Sequence, residues 1–192
     1  MRNGIFIILV ATILSSCGGY KLVNKGKEIE VGNSMFTTPF NDWNSSKDGD
    51  VVLWTMDGPM LQQIIFVKGA EDGDYLIPVR VNGTHTLDKK VPKFKKDMTS
   101  IEVVELFEST FKRLGAQNLE ISNVRPYEAA KTKGFRFEFG FLTKDGLAKS
   151  GSTYGILKNK RLFMVIYSGA NIHYYDKGKE DFEGIVRSLR IL

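Results

Sequence analysis

The sequence is poor in the residues that most often carry chemistry, with one cysteine, Cys17, and two histidines, His85 and His173, in 192 residues. A single thiol excludes an internal disulfide and flags some other use for that cysteine. Two histidines confine any histidine triad or zinc site to His85 or His173, and neither sits in a ligand-spaced motif such as H-E-x-x-H. The chain also has no P-loop, no dinucleotide fingerprint, no internal repeat and no low-complexity tract. No apolar run reaches the ~20 residues that a membrane-spanning helix needs. The run that begins at Ile5 stops at Ser15.

What that run does have is the form of an export signal: a positive charge at Arg2, a short apolar middle, and small residues at Ser15 and Ser16. The next residue is the lone cysteine, and Leu14-Ser15-Ser16-Cys17 resembles the lipobox of bacterial lipoproteins. The resemblance implies that the Cys17 thiol takes a diacylglycerol, that residues 1–16 are removed, and that Cys17 becomes the acylated, palmitate-bearing first residue of the mature chain. Two or more acyl chains give stable anchoring, since each buried methylene contributes about 0.8 kcal/mol. Residues 17–32 then read as the lipidated cysteine and its tether, and 33–192 as one domain. Gly18, in place of the Asp that retains such proteins in the inner membrane, implies sorting to the outer membrane, facing the periplasm.

The composition, 42% hydrophobic and 26% charged, is that of a globular domain with a real core. A formal net charge of +5 permits an acidic partner or anionic lipid but does not specify one. With export and no recognisable motif, nucleic acid is not an expected partner. The dense run Lys89, Lys90, Lys93, Lys95 and Lys96, interrupted by Pro92 and bracketed by Asp88 and Asp97, has no amphipathic period and reads as a solvated loop.

Hydrophobic period supplies the elements. Val51 to Met56 and Leu61 to Val67 read as a hairpin turned by Asp57-Gly58. Gly69 to Lys96 reads as irregular, with one short strand at Tyr75 to Val79. Thr99 and Glu102 have capping-box spacing with a Met98 and Val103 staple. Val103, Val104, Phe107, Phe111 and Leu114 then make an apolar helix face that ends at Gly115. Strands follow at Leu119 to Val124, Gly134 to Leu142, Leu147 to Leu157 and Leu162 to Ser168, with turns at Lys144-Asp145-Gly146 and Lys158-Asn159-Lys160. Strand alternation puts Phe135, Phe137, Phe139 and Phe141 on one face of the sheet. Leu162 to Tyr167, apolar on both faces, reads as a central strand. A last helix spans about Lys179 to Leu189, with Phe182, Ile185, Val186 and Leu189 inward and Glu183 and Arg187 paired at i, i+4. The class is α+β, an antiparallel sheet with two main helices packed on it.

That order of elements, closing on an aromatic meander and a helix with Phe182 and Ile185, resembles the Mog1/PsbP-type α/β/α sandwich. The resemblance implies a binding or assembly factor, as members of that fold act around a small GTPase or a photosystem, and fold alone does not fix function. Asp42-Trp43-Asn44, Trp54-Thr55-Met56-Asp57-Gly58, Asp97-Met98-Thr99, Gly134-Phe135-Arg136-Phe137 and His173-Tyr174-Tyr175 are similar to segments of uncharacterised proteobacterial lipoproteins.

No constellation of catalytic groups emerges, so catalytic, cofactor and metal residues are not assigned. His85 lies among turn residues and reads as solvated; His173 reads as a loop support beside Tyr174 and Tyr175. Gly151-Ser152-Thr153-Tyr154-Gly155 departs from the nucleophile elbow because its serine stands one place early and within a strand. Glu102, Glu105 and Glu108 form a solvated helix face, and Asp57 and Asp145 serve turns. Trp43 and Trp54 read as core or as interface anchors. The sequence thus reads as a lipid-anchored envelope lipoprotein with a non-catalytic domain that binds another envelope protein. The alternative is a carrier or sensor of an apolar small molecule or lipid on the Phe135 to Phe141 face.

Overall fold

A computed structural model describes residues 19–48, 51–77 and 91–192. The export segment and Cys17 lie outside the described residues, as do His85, Lys89, Lys90 and the end of the strand read at Tyr75 to Val79. Of that strand the described part holds one bridge, Tyr75 to Lys93.

The first six strands are β1 (Lys21–Val23), β2 (Ile29–Val31), β3 (Met35–Thr37), β4 (Trp43–Asp48), β5 (Val51–Thr55) and β6 (Gln62–Ala70). Helix α1 (Ser100–Arg113) leads into the meander β7 (Gln117–Ala129), β8 (Thr132–Leu142), β9 (Ala148–Lys158) and β10 (Arg161–Ala170). Helix α2 (Tyr174–Ser188) and β11 (Arg190–Ile191) close the chain. An eight-stranded antiparallel sheet runs in the order β1-β4-β5-β6-β10-β9-β8-β7, and a small second sheet runs β11-β3-β2.

β10 is the central constraint of this arrangement. Its two faces are both apolar, so each must be covered. Leu162, Met164 and Ile166 join the cluster under α1, while Phe163, Val165 and Tyr167 join the one under α2 and the small sheet. The outcome is α1, sheet, α2: a three-layer α+β domain.

Local signals build α1. Thr99 and Glu102 form the capping box, with the Thr99 amide donating to Glu102 Oε2 at 2.7 Å and the Glu102 amide donating to Thr99 Oγ1 at 3.3 Å. The Thr99 amide, then the Thr99 hydroxyl, holds the Glu102 carboxyl below the usual carboxylate range. At the other end Gly115 takes a φ of 98°, and the amides of Gly115 and Ala116 return to the carbonyls of Lys112 and Phe111. Leu114, read as core, is 36% exposed because it sits at the cap where the helix leaves the sheet. Its place inward is taken by Leu106 and Thr110.

The four phenylalanines of β8 share one face, beneath α1. Phe107 meets Phe137 and Phe139 at 4.8 and 4.9 Å between centroids, and Phe111 meets Phe139 and Phe141 at 5.6 and 6.3 Å. The glycines of Gly151-Ser152-Thr153-Tyr154-Gly155 now have a packing reason. A Cβ at Gly151 would stand 2.1 Å from the Phe139 ring, and one at Gly155 2.4 Å from the Phe135 ring. They are seats for aromatic rings on the next strand, so this face is filled core.

Several boundaries differ from the sequence reading. The stretch 17–32 is not all tether: β1 pairs with β4, β2 pairs with β3, and Val23 and Val31 are buried. Three-residue strands carry too little period to be read locally, and β1 pairs past two other strands, on β4. β7 continues past Val124 and pairs directly with β8, so the meander has four strands. Pro126 is tolerated there because β7 is the sheet edge, and Asn118 and Asn123, at φ of 50° and 53°, absorb its two register shifts.

Phe137→Ala removes a fully buried ring from between α1 and the sheet, and should cost about 3–5 kcal/mol of stability in urea unfolding. Phe141→Ala, at the half-buried end of the row, should cost clearly less.

Candidate functional site

Of the five segments singled out in the sequence, Asp97-Met98-Thr99 caps α1 and the other four converge on α2. Its start is His173-Tyr174-Tyr175, and three charged side chains along it reach three other segments. Asp181, 1% exposed, accepts from the Phe40 amide at 2.6 Å, the Asn41 amide at 3.2 Å and the Trp43 indole Nε1. Glu183 accepts two hydrogen bonds from the Arg136 guanidinium, at 2.6 and 3.1 Å. Lys177 grips the Asp57 carboxylate at 2.7 and 2.8 Å.

Each of these has a structural reason. Segment 40–43 leaves three N–H groups near the core boundary, and a carboxylate can accept all three. Arg136 alternates with the phenylalanines of β8 and so faces α2, where the Tyr127 ring covers it at 4.8 Å. Glu183, through its hydrogen bonds, raises the Arg136 guanidinium above its ordinary value. The helical pair read between Glu183 and Arg187 is therefore replaced: Arg136 offers Glu183 a bidentate partner away from water, which an exposed i, i+4 pair does not.

Trp43 and Trp54, 0% and 1% exposed, are core. Both belong to the α2 side of the sheet. α2 begins five residues before the sequence placed it. The Tyr167 hydroxyl donates to the carbonyls of Tyr174 and Tyr175, both at 2.7 Å, and burial pushes that phenol far above the ordinary tyrosine range. Gly178 hides this first turn in the sequence, yet a Cβ there would lie 2.5 Å from the Tyr167 oxygen. The glycine makes the room that fixes the helix start.

At that end of the sheet, two connections form a braced apex: the β5–β6 turn, residues 56–61, and the β10–α2 connection, residues 171–173. Thr55 Oγ1 donates to the Gln62 carbonyl at 2.7 Å and accepts from the Gly58 amide at 2.9 Å. Gln62 Oε1 accepts from the Met56 amide at 3.0 Å. The Ala170 amide donates to the Leu61 carbonyl at 2.8 Å, and the Asn171 amide to the Ala148 carbonyl at 3.0 Å. From beneath, the buried Lys149 ammonium donates to the Met60 carbonyl at 3.2 Å. Above this bracing two apolar side chains stand in water, Met60 at 63% and Ile172 at 85% exposure. His173 is exposed beside them, its ring edge-on to Tyr174.

Ser152 is fully buried and shares a hydrogen bond with the Tyr175 hydroxyl at 3.0 Å; His173 is a surface group. Among the described residues no group of three or more His, Cys, Asp or Glu side chains is placed to hold a metal ion. A cleft of about 620 Å³ runs along β6 and residues 71–77, with Lys93 and Arg161 at its margin and none of the β8 phenylalanines in its lining. Arg161 there is already engaged, by Glu71 at 3.4 Å and the Gly69 carbonyl at 3.1 Å. The sequence missed the apex because nothing local links Met60 to Ile172; only the β6–β10 pairing brings their connections together.

Neither a family model nor a curated protein sequence matches this chain. Among solved structures, the cyanobacterial PsbP protein (CyanoP) of Synechocystis sp. PCC 6803 superposes with a TM-score of 0.55 at 13% identity. The match covers 96% of this chain and 99% of that one. At this identity the likeness speaks to architecture alone, and two helices packed on a large antiparallel sheet give this chain a PsbP-like fold.

Two substitutions test the bracing. Asp181→Asn replaces an acceptor oxygen by a donor facing donors, and should cost about 2–3 kcal/mol in denaturant unfolding. Burial pushes Lys149 below the ordinary lysine value of 10.5, so the folded protein holds fewer protons than the unfolded chain as pH approaches that value. Stability from this group therefore rises as pH climbs through its folded value, and is lowest near neutrality. Lys149→Met should add about 1 kcal/mol at pH 7 and flatten that rise, while hydrogen exchange in residues 56–61 becomes faster.

Proposed function

We propose that this protein is a lipid-anchored lipoprotein of the bacterial envelope, facing the periplasm from the outer membrane, and that its domain is a non-catalytic module for binding or assembling another envelope protein. The apex carries the binding half of this reading. Large apolar side chains carried into water on a hydrogen-bonded backbone need no ordering of the connections that present them on binding, which suits an interface anchor. Met60 and Ile172 fit that role, with the Asp57–Lys177 ion pair at the polar margin. The anchoring half rests on Leu14-Ser15-Ser16-Cys17 and on Cys17 being the one thiol in the chain. The rival reading, a carrier of an apolar ligand, loses the site first considered for it, since the β8 phenylalanines are packed under α1.

Crosslinking in the native cell followed by purification should enrich a discrete partner over an unrelated lipoprotein. Met60→Asp with Ile172→Asp should cut that recovery about tenfold or more with unchanged folding, as expected for loss of interface anchors. Equal recovery from the double variant, or no enrichment from the wild type, contradicts the reading. Separately, Cys17→Ala should abolish incorporation of labelled fatty acid and leave the precursor uncleaved. Normal maturation of that variant rules out the lipid anchor.

A further inference from the structure

We infer that β1 is a membrane-contact strand, which lays Tyr20 and Leu22 on the bilayer surface beside the acylated cysteine. The inference rests on the lipid-anchor reading of Cys17 and adds to it where the domain touches the membrane. Three observations carry it.

The first is distance. The sheet begins at Lys21, so only Gly18 and Gly19 separate Cys17 from Tyr20. Three residues reach at most about 10 Å even when fully extended, so an acylated Cys17 holds Tyr20 within that distance of the headgroups.

The second is orientation. β1 is an edge strand registered on β4, with Lys21 opposite Ser45, Leu22 opposite Asn44 and Val23 opposite Trp43. Val23 is buried at 5% exposure, and the Trp43 it faces is tied to α2 by Asp181. The strand therefore cannot roll, and alternation sends Leu22, with Tyr20 two residues before it, to the opposite face. There they stand 63% and 49% exposed. Nothing within the fold requires two large apolar side chains at that edge to stay in water.

The third is chemistry. A tyrosine ring, apolar with a polar tip, suits the membrane interface, and a leucine beside it adds buried hydrocarbon. Lys25 and Lys27 are exposed just after the strand, which suits anionic headgroups. Of the acids close by, Glu28 is neutralised by Arg190 at 2.6 Å, while the Asp42 carboxylate is turned onto the Lys25 amide at 2.8 Å and keeps its charge. Together these favour a bilayer of anionic lipid over a protein strand as the occupant, because β1 offers only three residues of edge for pairing.

The test uses the lipidated protein in vesicles of phosphatidylethanolamine and phosphatidylglycerol. Because the Cys17 thiol is acylated, Leu22→Cys supplies the one thiol for a polarity-sensitive fluorophore, and Ile172→Cys is the control. The strand reading predicts a blue-shifted probe at position 22, quenched by lipid-borne nitroxide and several-fold less open to iodide than the probe at position 172. Equal iodide quenching at both positions, with the intact mass showing diacylglycerol on Cys17, overturns this inference and leaves the anchor standing. A mass without the lipid overturns both.

Discussion

The carboxylate of Asp181 is the contact that ties the start of the large sheet to α2. It is buried in the middle of α2 and accepts three N–H groups from residues 40–43. A buried carboxylate is tolerated only when its oxygens are fully used, and three donors do so. The consequence travels outward through pairing. Trp43 is fixed, β4 starts from it, β5 and β1 flank β4, and Val23 closes on the same core. Without that carboxylate the small sheet and the Thr37 and Thr38 contacts to α2 would still hold β2 and β3, but residues 40–43, from which β4 starts, would lose their acceptor.

The two faces of the sheet have different chemistry, and this sorts structure from function. The α1 face is a dry row of phenylalanines against Phe107 and Phe111. The α2 face combines an apolar core with charged fastenings: Lys177 to Asp57, Asp181 to Trp43, Glu183 to Arg136. Such contacts add less stability than the same area of hydrocarbon, but they specify register and direction. They fix how α2 is seated on the sheet, while Tyr167 and Gly178 set where it begins and so where the apex with Met60 and Ile172 stands. The PsbP-like architecture supplies the platform on which the apex and the β1 edge stand.

The legibility of the sequence follows from the range of the interactions. α1 could be read in detail, cap to cap, because its signals lie within a few residues of one another: Thr99 with Glu102, and Gly115 after the last apolar residue. The β8 phenylalanines and the double burial of β10 were legible for the same reason, since alternation is local. The early strands, the first turn of α2 and the partner of Glu183 were not. Val23 with Trp43 and Arg136 with Glu183 meet across a large span of sequence, and Tyr167 reaches Tyr174 only because the β10–α2 connection folds back on the strand. At the candidate site, Trp54 to Gly58 and His173 to Tyr175 stood out as segments, while their meeting through Asp57 and Lys177 needed the fold.

If Asp181 binds the early strands to α2, then the N-terminal part of the sheet belongs to the cooperative unit and does not fray from it. Native-state hydrogen exchange of the Trp43 indole N–H, followed by NMR in increasing urea, reads this directly. The account predicts exchange only through global unfolding, with the same denaturant dependence as the amides of β10. Exchange of that proton through local opening, well below the global free energy and insensitive to urea, would contradict it.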